Sequence, residues 1–391
     1  MSISRATRVL VAGGGVAALE AVLALQALAG DRVEIELLAP GRNFTYRPLA
    51  VAEPFRAGSV RRIPLAAIAH DRGVRLQRDA LARVLPDERA VETQGGARLD
   101  YDTLVLALGA RPVETVPGAL TFRGPQDAGR VADIVEQLRR GALCRVAFVV
   151  PSGTTWTLPL YELALQTAAA LRGSAPQAEL TVVTPEPGPL AAFGREASET
   201  VAALLAERDV RLRAGALVDE YDAGQLWLGV GGSLAADRVI ALPRLLGPRL
   251  RGVPSDPLGF VPVDELTRVI AVDGVHAVGD MTAHCLKQGG LAAQQADVAA
   301  AVIAAAAGVS VPLQPYRPVL RGLLLTGGEM RFLRRSPDGA SEASDELLWW
   351  PPAKIAGRHL APYLAGHLDL GTPQRPNAAI PLQVEPAGAA S

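Results

Sequence analysis

The stretch that most constrains the fold is residues 7–39, near the start of the chain. Residues 7–12 (TRVLVA) form a short apolar run rich in branched side chains, which is typical of a buried parallel strand. Residues 13–18 (GGGVAA) match the pattern G-x-G-x-x-A, an apolar helix follows to about Leu28, and a second apolar run begins at Val33. A strand, a glycine turn, a helix and a strand in this order predict a dinucleotide-binding βαβ unit.

The small residues of this motif have separate physical tasks. Gly13 makes the tight turn, Gly15 lets the backbone come close to a pyrophosphate, and Ala18 allows the helix to pack closely on the sheet. The helix begins at about Val16, so the N–H groups of Val16 and Ala17 and a partial positive charge face the phosphates. We therefore expect these five residues to bind a dinucleotide.

One common feature of such a unit is missing. An acidic residue usually ends the second strand and holds the ribose hydroxyls, but Ala39 and Pro40 stand at that place. Ribose binding is therefore expected to use backbone groups, water or the side chain of Arg42.

The composition excludes several classes of protein. The 391 residues carry a formal net charge of -1, so no overall field favours a nucleic-acid partner. Two cysteines without a CxxC spacing give neither a disulfide framework nor a thiolate zinc site, and the histidines have no metal-ligand spacing. Without an uncharged apolar run of about 18 residues, no transmembrane helix is predicted. We expect a cytoplasmic protein. A peripheral contact with the inner membrane is the alternative.

Two later segments carry a resemblance to a known superfamily. Residues 107–109 (ALG) resemble the ATG motif at the crossover between two dinucleotide-binding domains, and Gly279-Asp280 resembles the second FAD motif. With the glycine turn, the three motifs stand in the order found in the FAD-dependent pyridine nucleotide–disulfide oxidoreductases. The resemblance implies FAD as the cofactor, with Asp280 on the ribityl hydroxyls and the amides near Gln288 and Gly289 beside the flavin.

The same resemblance predicts the fold and its domains. We expect an α/β protein with two Rossmann-like dinucleotide-binding domains, the second inserted in the first. The FAD-binding domain would comprise residues 1–114 and 243–314, and the inserted NAD(P)-binding-like domain residues 115–242. Residues 315–391 would form a C-terminal segment that ends in a flexible tail.

Residues 46–49 (YRPL) resemble the branch of sulfide:quinone oxidoreductases, flavocytochrome c sulfide dehydrogenases and type II NADH dehydrogenases. In that branch Pro48 would pack on the flavin ring and Arg47 would bring positive charge near it. Disulfide chemistry is not expected, because Cys144 is predicted to be a small buried residue and Cys285 has no partner thiol. The complete set expected to bind FAD is Gly13, Gly15, Val16, Ala17, Ala18, Arg42, Arg47, Pro48, Leu81, Ala107, Gly109, Gly279, Asp280, Lys287, Gln288 and Gly289.

The inserted domain repeats the outline of a nucleotide site with a degenerate loop. Its single glycine, Gly153, precedes two threonines and Trp156, whose side chains stand where a pyrophosphate must approach. We therefore predict poor binding of a nicotinamide dinucleotide. Two glutamates nevertheless leave NADH as an alternative electron donor. Glu186 follows the next strand, at the place where such a domain holds a ribose. Glu162 resembles a glutamate that, in NADH-dependent members, faces the nicotinamide–flavin stack.

The C-terminal segment contains residues 349–364 (WWPPAKIAGRHLAPYL), a rigid apolar stretch around Lys354. Lys287 and Lys354 are the chain's two lysines, and a compact ammonium suits a polar contact to a substrate. In related quinone reductases such aromatics line the quinone site, and amphipathic helices dock on the membrane. Here a helix within residues 353–364 would have only about ten residues and would be interrupted at Pro362, which is too short to predict membrane contact. The alternative is that this segment covers the flavin domain as core.

The leading hypothesis is an FAD-dependent oxidoreductase that passes electrons from a small-molecule or protein donor to a quinone-like or protein acceptor. Glu162, Lys287 and Lys354 are the predicted catalytic residues. Lys287 would balance negative charge on the flavin, and the other two would contact the substrate. The alternatives are an NAD(P)H dehydrogenase of the same fold, and a flavin-binding scaffold or sensor with little turnover.

Overall fold

The structure is a computed structural model that describes residues 5–366. Helices and parallel strands alternate in residues 7–38 and 128–213, as the sequence predicts. The helices are α1 (Val16–Ala29), α2 (Leu65–Asp71), α3 (Ala128–Arg139), α4 (Leu158–Leu171), α5 (Arg195–Ala206), α6 (Gly289–Ala306) and α7 (Leu360–Ala365).

The first sheet is built from five parallel strands that lie far apart in the sequence. The strand Thr7–Ala12 lies at its centre, between Val33–Leu38 and Thr103–Leu106. Val275–Ala277 and Arg75–Gln77 form the two edges. Ligands of such sheets bind outside the carboxyl ends of the strands. The segments that follow residues 12, 106 and 277 therefore meet at the edge where a ligand is expected.

A second parallel sheet lies within the sequence interval between the strands of the first. Its strands, in spatial order, are Leu120–Thr121, Arg238–Ala241, Arg145–Val149, Glu179–Val183 and Val210–Arg213. The antiparallel pair of Arg111–Val113 with Arg244–Leu246 lies beside the predicted domain boundaries. The α/β fold with two Rossmann-like units is confirmed, while the boundaries themselves stay a prediction.

Shorter antiparallel strands complete the fold. They pair as Asn43–Tyr46 with Arg61–Pro64; Leu81–Leu85 with Ala90–Thr93 and Arg98–Asp100; Val218–Asp222 with Gln225–Leu228 and Ser233–Ala235; and Leu320–Leu324 with Arg331–Arg335 and Ser341–Ser344.

The helix α6 packs against α1 through a surface rich in alanine, and both helices share a core with the first sheet. The helix α6 is long and apolar enough to span a membrane, but 67% of it is buried inside the fold. A mostly buried apolar helix is what the core of a globular protein requires, since small side chains let two helices approach closely.

The C-terminal segment differs in part from its prediction. The helix is shorter than residues 353–364, because α7 covers Leu360–Ala365 and the chain before it is irregular. Trp349 is buried against Phe332, with ring centroids 4.9 Å apart, and its indole N–H donates to the carbonyl of Ala353. This tryptophan is therefore core. The predicted flexible tail lies outside the described residues.

A buried carboxylate of α1 fixes this segment to the first domain. Glu20 is fully buried, and its two carboxylate oxygens accept the N–H groups of His359 (2.7 Å) and Leu360 (2.8 Å) at the start of α7. Asp297 of α6 lies beside Glu20, and the imidazole of His359 is 3.9 Å from the Asp297 carboxylate. Burial raises the pKa of the Glu20 carboxyl, and burial next to Glu20 raises that of Asp297 further.

We expect the Asp297→Asn variant to lose part of the pH dependence of stability. The pKa of the Asp297 carboxyl lies well above its ordinary value of 3.8. The folded protein therefore keeps a proton that the unfolded chain releases, and the free energy of unfolding falls as the pH rises above that ordinary value. Asparagine cannot ionise, so the fall becomes shallower. Urea unfolding across the pH range measures how steeply the free energy of unfolding depends on pH. Asp133→Asn, at an exposed position of α3, is the control. Equal slopes in wild type and Asp297→Asn would contradict the assignment.

Candidate functional site

The glycine turn after the first strand has the shape that the motif predicts. Gly13 has φ 140°, and a Cβ there would strike the carbonyl of Ala107, while its N–H donates to the carbonyl of Leu38 (2.8 Å). Gly15 begins α1 without any side-chain cap, and a Cβ on Gly15 would meet nothing within 4 Å. The first amides of α1 therefore face open space at a positive helix end, which suits a pyrophosphate.

The second motif lies directly against this turn. Gly279 has φ 77°, and a Cβ there would come within 3.1 Å of the Cβ of Ala17 and 3.4 Å of that of Ala292. The absence of a side chain thus lets Asp280 stand beside the start of α1. Burial raises the pKa of the Asp280 carboxyl, and the positive charges of Lys287 and Arg47 oppose this shift.

A cavity of about 280 Å³ lies next to these motifs, between both Rossmann-like units and the C-terminal segment. Its walls are mainly apolar, and the start of α6 forms one side. Gln288 caps that helix, because its side-chain oxygen accepts the N–H of Leu291 (2.9 Å) and its amide donates to the carbonyl of Arg321 (3.1 Å). The structure brings eight predicted residues together around this cavity: Arg47, Pro48, Glu162, Asp280, Lys287, Gln288, Gly289 and Lys354.

A buried ion pair joins α4 to the C-terminal segment at this cavity. One carboxylate oxygen of Glu162 accepts from the ammonium of Lys354 and from the N–H of Leu325 (2.8 Å). The side chains are 1% and 7% exposed, respectively. Burial raises the pKa of Glu162, which Lys354 opposes, and burial lowers the pKa of Lys354, which Glu162 opposes. The second oxygen of Glu162 is buried without a partner among the described residues.

The ammonium of Lys287 is engaged by the backbone. It donates to the carbonyls of Thr282 and His284 (2.7 Å) and lies 3.9 Å from the centroid of the Phe260 ring. Burial lowers its pKa to about 8, against the attraction of Asp280. Lys287 therefore provides a fixed positive charge at the cavity, with its donors already partly used.

Side chains of the second domain pack on the degenerate loop and engage its acidic residue. Trp156 packs on Phe193, with ring centroids 5.7 Å apart, and also lines the cavity. Glu186 accepts three hydroxyl groups, from Tyr161 (2.7 Å), Thr184 (3.1 Å) and Thr157 (3.2 Å). Burial raises the pKa of Glu186, and these hydrogen bonds lower it. The carboxylate expected to hold a ribose is thus engaged within the protein.

Ten of the sixteen residues predicted to bind FAD do not line this cavity. Eight of the ten belong to the glycine turn, to residues 107–109 or to Gly279, and the other two are Arg42 and Leu81. The side chain of Arg42 is exposed, and Leu81 packs against the core beneath the first sheet. The contact of either residue with FAD stays a prediction.

The prediction that Cys144 is buried is wrong. The residue precedes its strand at an exposed edge, where its N–H donates to the carboxylate of Asp237 (2.8 Å). Cys285 is exposed as well. Neither residue lines the cavity.

The partners of Glu186 and the role of Glu20 were not predicted from the sequence. The Thr184-x-Glu186 spacing was a usable signal, because a threonine hydroxyl often accepts the N–H two residues later, as it does here at 3.2 Å. Tyr161 lies one helical position before Glu162 and gave no comparable local signal. Glu20 did give a local signal, because a charged residue within an otherwise apolar helix predicts a buried polar contact.

Two Rossmann-like sheets, with a glycine turn and an aspartate motif at the carboxyl edge of the first, are the arrangement of two-domain dinucleotide-binding proteins. Residues 7–307 match the model of the pyridine nucleotide-disulphide oxidoreductase family, and the chain belongs to that family. The superfamily inferred from the sequence motifs is thereby confirmed.

Individual relatives extend this comparison. The NADH dehydrogenase-like protein Rv1812c of Mycobacterium tuberculosis is 30% identical over 296 residues, which cover 71% of this chain and 73% of that protein. The sulfide:quinone oxidoreductase of Aquifex aeolicus has a TM-score of 0.79 at 20% identity, with 87% of each chain covered. NDH2 of Plasmodium falciparum in complex with NADH has a TM-score of 0.57 at 15% identity, covering 71% of this chain and 65% of its own. The two solved structures show a shared fold.

We expect Gly15→Ala to leave the fold intact and to weaken FAD binding at least tenfold. The new methyl group meets no protein atom within 4 Å but occupies the space in which a pyrophosphate must approach the backbone. Replacing glycine by alanine at the N-cap of α1 lowers the free energy of unfolding by at most about 1 kcal/mol. Titration of the FAD-free protein with FAD measures the affinity, and urea unfolding measures stability. Gly129→Ala on α3, where a methyl group also has open space, is the matched control; unchanged FAD affinity in Gly15→Ala would contradict the assignment.

We expect Lys354→Met to destabilise the protein by roughly 3–5 kcal/mol, because it leaves the buried Glu162 carboxylate without its cation. The double variant Glu162→Leu/Lys354→Met should recover much of this loss, because no charge remains buried. Urea unfolding of wild type, both single variants and the double variant gives the coupling energy. The exposed pair Arg195–Glu199, 3.8 Å apart, is the control and should couple by less than about 1 kcal/mol. Additive losses at Glu162 and Lys354 would show that the two side chains do not act as a pair.

Proposed function

We propose that this protein is an FAD-dependent oxidoreductase that passes electrons from a donor to a small, flat, quinone-like acceptor. The observation that carries the proposal is the cavity beside Asp280 and the start of α6. It combines apolar walls with the free oxygen of Glu162, a neighbouring ammonium and the start of α6. Pockets of this kind hold apolar ring systems that are oriented by a few polar groups.

The residues at the carboxyl edge of the first sheet fit FAD. Gly13, Gly15 and the first amides of α1 would hold the pyrophosphate, and Asp280 would accept the ribityl hydroxyls. Pro48 and Gly289 would lie beside the ring. The bound flavin supplies the electron chemistry, and the protein supplies binding, orientation and charge.

The pair of Glu162 and Lys354 would supply the proton that a quinone-like acceptor needs. Burial raises the pKa of Glu162 and lowers that of Lys354, so a proton shared between them is held less firmly than on an exposed lysine. The partner-free oxygen of Glu162 offers a point for a hydrogen bond with an acceptor oxygen. The apolar walls would exclude water from this exchange.

The second loop supports a donor other than a nicotinamide dinucleotide. Trp156 lies on Phe193 where the loop would cradle phosphates, and the carboxylate of Glu186 is engaged by three hydroxyl groups. A dinucleotide would have to displace these contacts, which lowers its affinity.

An NAD(P)H dehydrogenase of the same fold is the second candidate. Its support is the 30% identity to a protein named NADH dehydrogenase-like, together with the acidic residue Glu186 after the second strand of the inserted sheet. In that case the side chains of Trp156 and Glu186 would move when NADH binds.

Anaerobic stopped-flow mixing of the purified protein with NADH, NADPH or sulfide separates these candidates. We expect a visible flavin spectrum and, for NADH, a slow or absent loss of flavin absorbance. Trp156→Ala should increase the affinity for NADH roughly tenfold or more by opening the groove. Trp227→Ala, which removes a tryptophan that is 46% exposed in the same domain, should leave it unchanged.

Three outcomes would contradict this scheme. A protein that stays colourless and takes up no added FAD would defeat the flavoprotein proposal. Micromolar binding of NADH by the wild type that depends on Glu186 would establish the second candidate instead. A flavin that no donor reduces, including a reduced quinone, would favour the scaffold or sensor with little turnover.

A further inference from the structure

A second cavity, of about 760 Å³, adjoins the first and has a different chemistry. Five arginine side chains and no aspartate or glutamate line it; the arginines are Arg47, Arg62, Arg111, Arg123 and Arg249. We call this cavity the arginine cleft. Arg47 and Arg123 also line the first cavity, so the two spaces share a wall. The arginine cleft has the volume of a small-molecule site.

Most of the positive charge in the arginine cleft is not neutralised. Arg123 lies 3.3 Å from Glu114 and 3.5 Å from Asp127, and Arg249 donates to the carbonyl of Pro257. Within residues 5–366, the guanidinium groups of Arg47, Arg62 and Arg111 make no salt bridge or side-chain hydrogen bond. Charges of one sign in a cleft repel each other and attract ions of the opposite sign.

The arginines come from separate chain segments, and two of them lie on paired strands. Arg62 pairs with Thr45 in the antiparallel ribbon of the first domain. Arg111 pairs with Leu246 in the two strands that connect the domains. Since these residues lie on paired strands, their Cα positions are fixed before any ligand arrives, which favours binding by reducing the entropy that is lost.

We propose that the arginine cleft binds a small molecule with at least two oxyanion groups, either phosphates or carboxylates. Guanidinium groups bind both kinds of oxyanion through paired hydrogen bonds. The concave shape favours a small molecule over the surface of a protein partner. The phosphates of FAD are proposed to lie at the start of α1. Arg47 and Gly109 of the cleft belong to the set expected to bind FAD. The additional anion site therefore rests on the four arginines outside that set, which are Arg62, Arg111, Arg123 and Arg249.

The proposal is tested on the full chain with its bound FAD by calorimetric titration with inorganic pyrophosphate and with citrate, at constant ionic strength. We expect binding at a single site. Arg62→Gln and Arg111→Gln should each weaken it roughly tenfold, because a hydrogen-bonded charge contributes about that much. Arg195→Gln on α5, where the side chain is 90% exposed, removes the same charge elsewhere and should change the affinity less than about twofold.

The two anions identify the kind of ligand: tighter binding of pyrophosphate indicates phosphates, and tighter binding of citrate indicates carboxylates. The proposal is overturned if neither anion binds the FAD-loaded protein, or if the three arginine variants lose affinity equally. Binding that appears only after FAD is removed would assign the cleft to the cofactor's own phosphates and would also overturn it. If Arg62→Gln or Arg111→Gln fails to fold, Arg62→Lys and Arg111→Lys keep the charge and should still bind more weakly than wild type.

Discussion

The nucleotide-binding half of this structure depends on two close backbone approaches. Gly13 lies against the carbonyl of Ala107, and Gly279 lies against Ala17 and Ala292, so a side chain at either glycine would separate the strands or helices. These approaches bring three segments that are distant in sequence to one carboxyl edge: residues 13–18, 107–109 and 279–280. Both glycines also have positive φ angles, which other residues adopt only at a cost. Sterics and backbone conformation thus require glycine for independent reasons.

Two buried carboxylates then fix the C-terminal segment over this edge. Glu20 of α1 holds the backbone at residues 359–360, and Glu162 of α4 holds the ammonium of Lys354. One carboxylate comes from each Rossmann-like unit, so the segment ties the two units together. Buried charges are costly unless they are paired, and each partner here is specific. The position of Lys354 in the cavity therefore depends on contacts in both units.

The sequence predicts the features that are encoded locally. The spacing of the glycines, the position of Asp280 and the apolar runs indicate both the fold and one edge of the site, because each follows from backbone geometry within a few residues. Glu162 and Lys354, 192 residues apart, were each predicted to contact the substrate. Their direct pairing was not predicted, since no local pattern reports which distant side chains meet.

The same limit explains the other differences. The burial of Cys144 was judged from its apolar strand, but strand ends are exposed where the chain turns. The arginine cleft escapes sequence analysis because its members are single residues from separate segments, in a chain that uses arginine for nearly all of its positive charge. Only the folded arrangement shows that five of them share one cavity without an acidic neighbour.

The two Rossmann-like turns of this chain differ in the contacts around them. The first turn keeps space open, because Gly15 has no atom within 4 Å of its Cβ direction. In the second turn Trp156 packs on Phe193, and the acidic residue Glu186 is satisfied by hydroxyl groups of the same domain. Trp156 and Glu162 both line the cavity beside Asp280 and the start of α6. We therefore interpret the second unit as a wall of the first unit's site, since satisfied polar groups and packed aromatics stabilise a wall and oppose the entry of a second dinucleotide.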